Sequence, residues 1–263
     1  MTTMTYTVRD SATMVRRNLR HMRRYPSMTL MLAGMPIIFL LLFVYVFGGT
    51  LGAGLGTPGG GRAEYLNYVV PGILLMTVAA AVNGTSVSVA MDMTEGIVAR
   101  FRTMAIARAS VLTGHVVGSV IQTLLSLLIV LGVAIALGFR PGAGPLGWLA
   151  VFAVLAMTSF ALTWLAVALG LVARTVEEAS NTPMPLILLP FLGSGFVPTD
   201  SMPAGLRQFA EYQPFTPVIE TLRALLTGAP VGSHAVVAVA WCAGIALTGD
   251  MWAKRLYSRE PIR

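Results

Sequence analysis

The stretch Met28–Phe47, MTLMLAGMPIIFLLLFVYVF, is twenty residues long and holds no charge. A helix of that length, at 1.5 Å per residue, covers about 30 Å, the thickness of a bilayer's hydrocarbon core. Its apolar core is too long for a cleaved signal peptide, and a basic segment of more than twenty residues precedes it. Five further apolar runs follow, at about 68–90, 111–137, 148–172, 179–197 and 235–252. The fifth of the six runs is the weakest. Pro183, Pro185 and Pro190 interrupt it and Gly193 and Gly195 follow, so it is expected to be kinked or broken. The expectation is an all-α integral membrane protein with six transmembrane helices in one domain, 1–263.

Composition agrees. Apolar residues make up 56% of the 263, charged residues only 11%, against roughly 25% in an average soluble domain. Mean hydropathy is +0.76 and the pI about 10.2. The net charge of +7 does not suit a nucleic-acid partner in so apolar a chain. It suits arginines gathered on one face of a membrane. The single cysteine, Cys242, forms no disulfide within the chain, and His21, His115 and His234 are too scattered for a metal site.

Lys and Arg set an expected orientation. With the N-terminus inside, the inside segments hold Arg9, Arg16, Arg17, Arg20, Arg23, Arg24, Arg100, Arg102, Arg108, Arg174, Lys254, Arg255, Arg259 and Arg263. The outside segments hold Arg62, Arg140, Arg207 and Arg223. Both termini then fall inside, which needs an even number of spans.

The segments between spans carry patterns of their own. In 7–25, Val8, Ala12, Val15, Leu19 and Met22 share one helical face and arginines cover the rest. Thr7 and Asp10 resemble a capping box. This reads as an amphipathic helix on anionic lipid, or simply as a positively charged anchor. Gly48–Gly61 has eight glycines and reads as a flexible outside loop. Met91–Ser110, MDMTEGIVARFRTMAIARAS, places Asp92 and Glu95 before Arg100, Arg102 and Arg108, the order that suits a helix dipole. Phe101, among Ile97, Met104 and Ala105, is an apolar anchor flanked by arginines. The segment suits docking into a partner's groove; the alternative is a solvated loop that only sets topology. In 200–228, Asp200–Pro203 offers a cap with proline at the first helical position. Leu206, Phe209 and Ala210 share a face until Pro214. A second helix starts at Thr216-Pro217, with Val218, Leu222 and Leu225 on one face, and Gly228 closes it. These two amphipathic helices belong at the outer interface, or form an ordered loop without further role.

Some chemistry is excluded. The chain holds no G-x-x-x-x-G-K-[ST] motif, and its only lysine, Lys254, lies beyond the last span, so it has no P-loop for ATP. Ser194, between Gly193 and Gly195, follows no strand and is no nucleophile elbow. Asn83, His115 and Gln122 are the main polar residues inside the spans, with Asp250 near the end of the last. Ion-coupled carriers need carboxylates or histidines at depth. His115 is expected to be interfacial, and Asn83 to make an interhelical hydrogen bond. The physical reading is a permease that borrows its energy from a partner.

Two stretches carry a resemblance. One is GIVARFRTMAIAR (96–108), followed by Val111 and Leu112. The other is SGFVP (194–198), then Met202, Pro203, Leu206, Arg207, Phe209, Pro214-Phe215-Thr216-Pro217, Arg223 and Leu225. In these, and in the order of spans, the chain resembles an ABC-2 type permease, the membrane subunit of ABC exporters, in its daunorubicin-resistance branch. Ala105 departs from the proline common there. The resemblance implies a type V exporter fold and a homodimer, or a heterodimer, of permeases. It also implies two copies of a separate ATPase chain, which would bind ATP and Mg; the permease itself would be no enzyme and hold no cofactor or metal. Glu95, Gly96, Arg100, Phe101, Arg102, Ile106 and Arg108 would form the ATPase-coupling helix (92–108). Arg16, Arg17, Arg20, Arg23 and Arg24 would belong to the interface helix. Ser194, Gly195, Phe196, Pro198, Pro214, Phe215 and Pro217 would form an outer gate with re-entrant helices. The implied cargo is a hydrophobic or amphipathic drug, natural product or lipid, and the arginine-rich, lysine-poor composition suits a bacterial plasma membrane. A polysaccharide or glycolipid exporter, an ion-coupled carrier and a membrane scaffold are the rival readings; the 8% aromatic content weakly favours apolar cargo over sugar.

Overall fold

The computed structural model describes residues 26–55, 61–94 and 108–259, all of them helical or irregular, with no strand among them. α1 (Pro26–Leu41) runs through a π-helical turn, Leu42–Phe47, into α2 (Gly48–Ala53). The other long helices are α3 (Arg62–Thr94), α4 (Arg108–Ala136), α5 (Pro145–Val172) and, last in the chain, α10 (His234–Arg259). Between α5 and α10 come the short α6 (Val176–Asn181) and α7 (Met184–Leu188), a 3₁₀ turn at Thr199–Ser201, and then α8 (Ala204–Tyr212) and α9 (Phe215–Thr227).

Among the described residues, five stretches are long and apolar enough to cross a membrane: Thr29–Ala53, Arg62–Thr94, Leu112–Ala136, Pro145–Val172 and His234–Tyr257. The fifth expected span, 179–197, is not one helix. It breaks into the end of α6, the single turn of α7 and a run of turns. Pro183 ends the first piece, and Pro190 lacks the N–H that would carry the second onward. The expected flexible loop at Gly48 is corrected as well: Gly48–Ala53 continues the first span as helix. Glycine disfavours helix by about 1 kcal/mol per residue in water. Here Gly48 packs against Arg62 and Gly52 against Gly61, and a backbone in apolar surroundings keeps its hydrogen bonds internal.

α3 is the central helix. Of its most apolar window 83% is buried, against 22% for the first span and 17% for α10. It touches α1, α4, α5, α6 and α9, and buried residues surround it from Tyr65 to Ala90, so it has no polar stripe. α5 and α10 run the same way, since Thr158 meets Cys242 (3.6 Å) and, further along both, Trp164 meets Lys254. The apolar interior forms two bodies. The larger holds Leu40, Val44, Ile73, Leu127, Leu155 and Leu222 among others. The smaller gathers Val89, Leu112, Val116, Trp164, Val167, Ala253 and Tyr257 where α3, α5 and α10 end and α4 begins.

α8 starts differently from expectation. Pro203 is its N-cap, with no side-chain cap, and not its first helical residue. The Asp200 carboxylate, instead of capping, pairs with Arg207 at 2.7 Å. α9 closes as expected, with Gly228 at φ 75°, ψ 15°, a left-handed C-cap open to glycine.

Candidate functional site

The broken segment would be costly in hydrocarbon unless its freed carbonyls found donors. Side chains from α3, α9 and the turn before α9 supply them. Asn83 Nδ2 donates to the Ser180 carbonyl (2.6 Å), and Gln213 Nε2 to that of Leu189 (3.0 Å). The Tyr68 hydroxyl (3.0 Å) and Arg223 Nη2 (2.6 Å) both donate to the Ser194 carbonyl, and the Tyr65 hydroxyl to that of Phe196 (3.1 Å). Tyr65, Tyr68 and Asn83 all lie on α3, so the segment is laced to the central helix along its length. Backbone contact is closest at Gly72, where an added Cβ would stand 2.4 Å from the Gly195 carbonyl oxygen.

Arg223 is the charged centre. Its side chain is 16% exposed and pairs with Glu220, one turn earlier on α9. The guanidinium stacks over the Tyr68 ring at 3.9 Å, a favourable cation–π geometry. A charge taken this far out of water needs such partners. Beside it the segment presents an aromatic face to the first span: Phe196 stacks on Phe191 (4.3 Å between centroids) and meets Phe43 (4.7 Å), while Phe39 meets Phe191 edge-on at 5.5 Å. Phe215, Val218, Leu75, Thr158, Trp241 and Cys242 line a small apolar crevice joining α9 to α3, α5 and α10.

At the opposite end of α3, His115 Nε2 lies 2.9 Å from Asp92 Oδ2. The pair joins the end of α3 to the first turns of α4, and so brackets residues 95–107. His115 is buried, and Leu112 and Val116, on either side of it in the chain, belong to the smaller apolar body. On α8, the exposed Arg207 also hydrogen-bonds Glu211 at 2.7 Å; this bond, with Asp200 beside it, raises the guanidinium pKa above its ordinary value.

Of the expected gate residues, Ser194, Gly195, Phe196 and Pro198 lie in and just after the turns of the broken segment, and Pro214, Phe215 and Pro217 at the start of α9; Ser194, Phe196 and Phe215 are buried. Arg108 opens α4. Glu95, Gly96, Arg100, Phe101, Arg102 and Ile106, and Arg16, Arg17, Arg20, Arg23 and Arg24, lie outside the described residues. Sequence reading missed Tyr65, Tyr68, Gln213 and the role of Arg223, which it counted as a topogenic charge and a residue of the family resemblance. The signal was there: Glu220 and Arg223 stand at i, i+3, an ion-pair spacing, on a helix whose opposite face is apolar.

A family model described as ABC-2 type transporter matches residues 10–227. The chain belongs to that family. Two relatives agree with it. The daunorubicin resistance ABC transporter permease protein DrrB1 of Streptomyces coeruleorubidus is 30% identical over 226 residues, 82% of this chain and 77% of the relative. The probable doxorubicin resistance ABC transporter permease protein DrrC of Mycobacterium tuberculosis is 30% identical over 218 residues, 80% and 74% of the two chains. The protein is a multi-pass membrane permease subunit of an ABC exporter, working with a partner ATPase subunit and lacking an ATPase site of its own.

Proposed function

We propose that this permease exports a hydrophobic or amphipathic drug, natural product or lipid from a bacterial plasma membrane. The observation that carries the reading is the uncharged aromatic face, Phe39, Phe43, Phe191 and Phe196, between the first span and the broken segment. Its four rings carry no charge, and Arg223 beside them is held by Glu220 and the Tyr68 ring. The drug-resistance names of both relatives point the same way. The broken segment serves as the remaining span, fifth in chain order. It starts level with Asn83 and ends level with Tyr65, eighteen residues apart on α3, which is about 27 Å of helix and close to the hydrocarbon thickness. Both termini are then cytoplasmic.

In this scheme two permease copies enclose the path, lined by the first span, α3 and the broken segment. Two copies of the ATPase bind ATP and Mg. The segment Glu95–Arg108 docks on them, and the arginine-rich helix 7–25 lies beside them on the membrane surface. α8 and α9 form the re-entrant outer gate. The test is ATP hydrolysis by permease and ATPase reconstituted together in liposomes. Daunorubicin, standing for planar amphipathic cargo, is expected to stimulate it. Stimulation by a glycolipid or polysaccharide alone would move the reading to that cargo, and no dependence on the ATPase for efflux would remove it.

A further inference from the structure

Of the five side-chain polar atoms that are buried without a partner among the described residues, three lie at one junction: Ser194 Oγ, Gln213 Oε1 and Arg223 Nε. Gln213 packs against Gly193, and Arg223 bonds the backbone of Ser194, so the three share one neighbourhood. Buried polar groups are nearly always satisfied, and a cluster of exceptions marks a place held against its own preference. The same junction joins three pieces of chain. Arg223 of α9 reaches both the Ser194 carbonyl of the turn (2.6 Å) and the Tyr68 carbonyl of α3 (3.4 Å). Glycines stand on both sides of Ser194, and a Cβ on Gly193 would strike Gln213 at 2.3 Å.

We infer that Arg223 is a positioning residue for transport: its guanidinium latches the Gly193–Pro198 turn onto α3, and the cycle includes a state in which that latch is open. Among the described residues the turn has no other charged tie. Its remaining polar ties to α3 are the hydroxyls of Tyr68 and Tyr65. Release of the turn lets Glu220 keep Arg223, which stays paired in both states, while Ser194 Oγ and Gln213 Oε1 gain other partners. The inference rests on the exporter reading for its cycle, but the closed latch is tested without it.

The reporter is Ser194→Cys in a Cys242→Ser background, a near-isosteric change at a fully buried position. Its reaction with a membrane-impermeant maleimide is followed in membranes holding permease and ATPase. Without ATP the thiol is expected to be protected, and under turnover to react. Arg223→Gln should raise the ATP-free labelling at least tenfold. Tyr68→Phe, which removes one bond to the same carbonyl and keeps the ring, should raise it about fivefold, or ~1 kcal/mol at 1.4 kcal/mol per decade. Pull-down of the ATPase should stay at its wild-type level in both, and substrate efflux per ATP should fall. Wild-type labelling rates in both variants would overturn the latch. If Arg223→Gln fails to insert, Tyr68→Phe decides alone. Failure of the unmodified permease to bind any ATPase would instead count against the exporter reading and leave the ATP-free labelling to judge the latch.

Discussion

Gly72 shows how a single position can be set by a neighbour far away in the chain. On helix propensity alone, Gly72→Ala in α3 would stabilise by about 1 kcal/mol. The Cβ would, however, lie 2.4 Å from a backbone oxygen of Gly195 and 2.8 Å from its carbonyl carbon, and backbone cannot turn aside as a side-chain tip can. Overpacking of that kind costs about 1–3 kcal/mol, so the clash outweighs the propensity gain. Gly84, on the same helix, has nothing within 4 Å. Thermal unfolding in detergent should therefore show Gly72→Ala less stable than wild type, by up to about 2 kcal/mol, with Gly84→Ala unchanged or slightly more stable. Equal midpoints for the two would mean that the turn does not press on α3. The sequence displayed Gly193 and Gly195 as breakers but gave no sign of Gly72's burden, because a close approach between residues 123 apart leaves no local pattern. The same holds for Tyr65 and Tyr68. They read as ordinary interfacial aromatics, and only the tertiary fold turns their hydroxyls toward carbonyls at Ser194 and Phe196.

Among the elements, the broken segment was the most legible and the glycine-rich one the least. Prolines at 183, 185 and 190 remove N–H donors wherever they fall, so a break there follows from covalent chemistry. Whether glycines coil or continue a helix depends on the surroundings, and at Gly48–Ala53 the packing against Arg62 and Gly61 decides for helix. α9 was read nearly to the residue from Thr216-Pro217, its apolar spacing and Gly228. α8 was placed correctly but its cap was not, because the Asp200 carboxylate had Arg207 as a competing partner. The element to which the proposed function assigns energy transfer is the stretch Glu95–Arg108. The Asp92–His115 pair joins the helices that precede and follow it in the chain. If the stretch docks on the ATPase, Phe101 is its buried anchor. A central aromatic commonly contributes ~2 kcal/mol or more to an interface, about thirtyfold in affinity. Phe101→Ala should thus weaken ATPase pull-down by about thirtyfold and abolish efflux, while membrane insertion stays intact because the arginines remain. Arg102→Ala should weaken it less, and more at low salt than at high, since a rim charge is screened. Wild-type pull-down and efflux by Phe101→Ala would reduce the stretch to a solvated loop.

At the scale of the whole molecule the arginines and the apolar faces make separate demands. The charge bias puts Arg62 and Arg207 on one side of the membrane and Arg102 and Arg259 on the other. Single cysteines at these four positions, in Cys242→Ser, should react with an impermeant thiol reagent in intact cells only at 62 and 207; labelling of position 102 from outside would leave the six-span arrangement without support. The apolar faces concern what surrounds the chain. α3 is sheathed on all sides by its own neighbours, whereas the first span exposes Met31, Met35, Ile38, Tyr45 and Val46, and α10 exposes Val236, Val239, Leu247 and Met251. Both faces are compatible with lipid, but a path for cargo cannot form inside one copy, since α3 fills the centre that a path would need. A path has to form between copies, along a face that one copy leaves uncovered. The first span is the better candidate, because its exposed stripe runs beside the aromatic face made with the broken segment, while α10 lies behind α5. Cross-linking in native membranes should therefore capture a permease pair with two ATPases. Cysteines at Met35 or Ile38 should form the permease–permease link at least tenfold more efficiently than cysteines at Val239 or Leu247, the preference corresponding to roughly 1.4 kcal/mol of local proximity. An active assembly of one permease with one ATPase would exclude the pair, and efficient links only through α10 would put the path on the other side of the molecule.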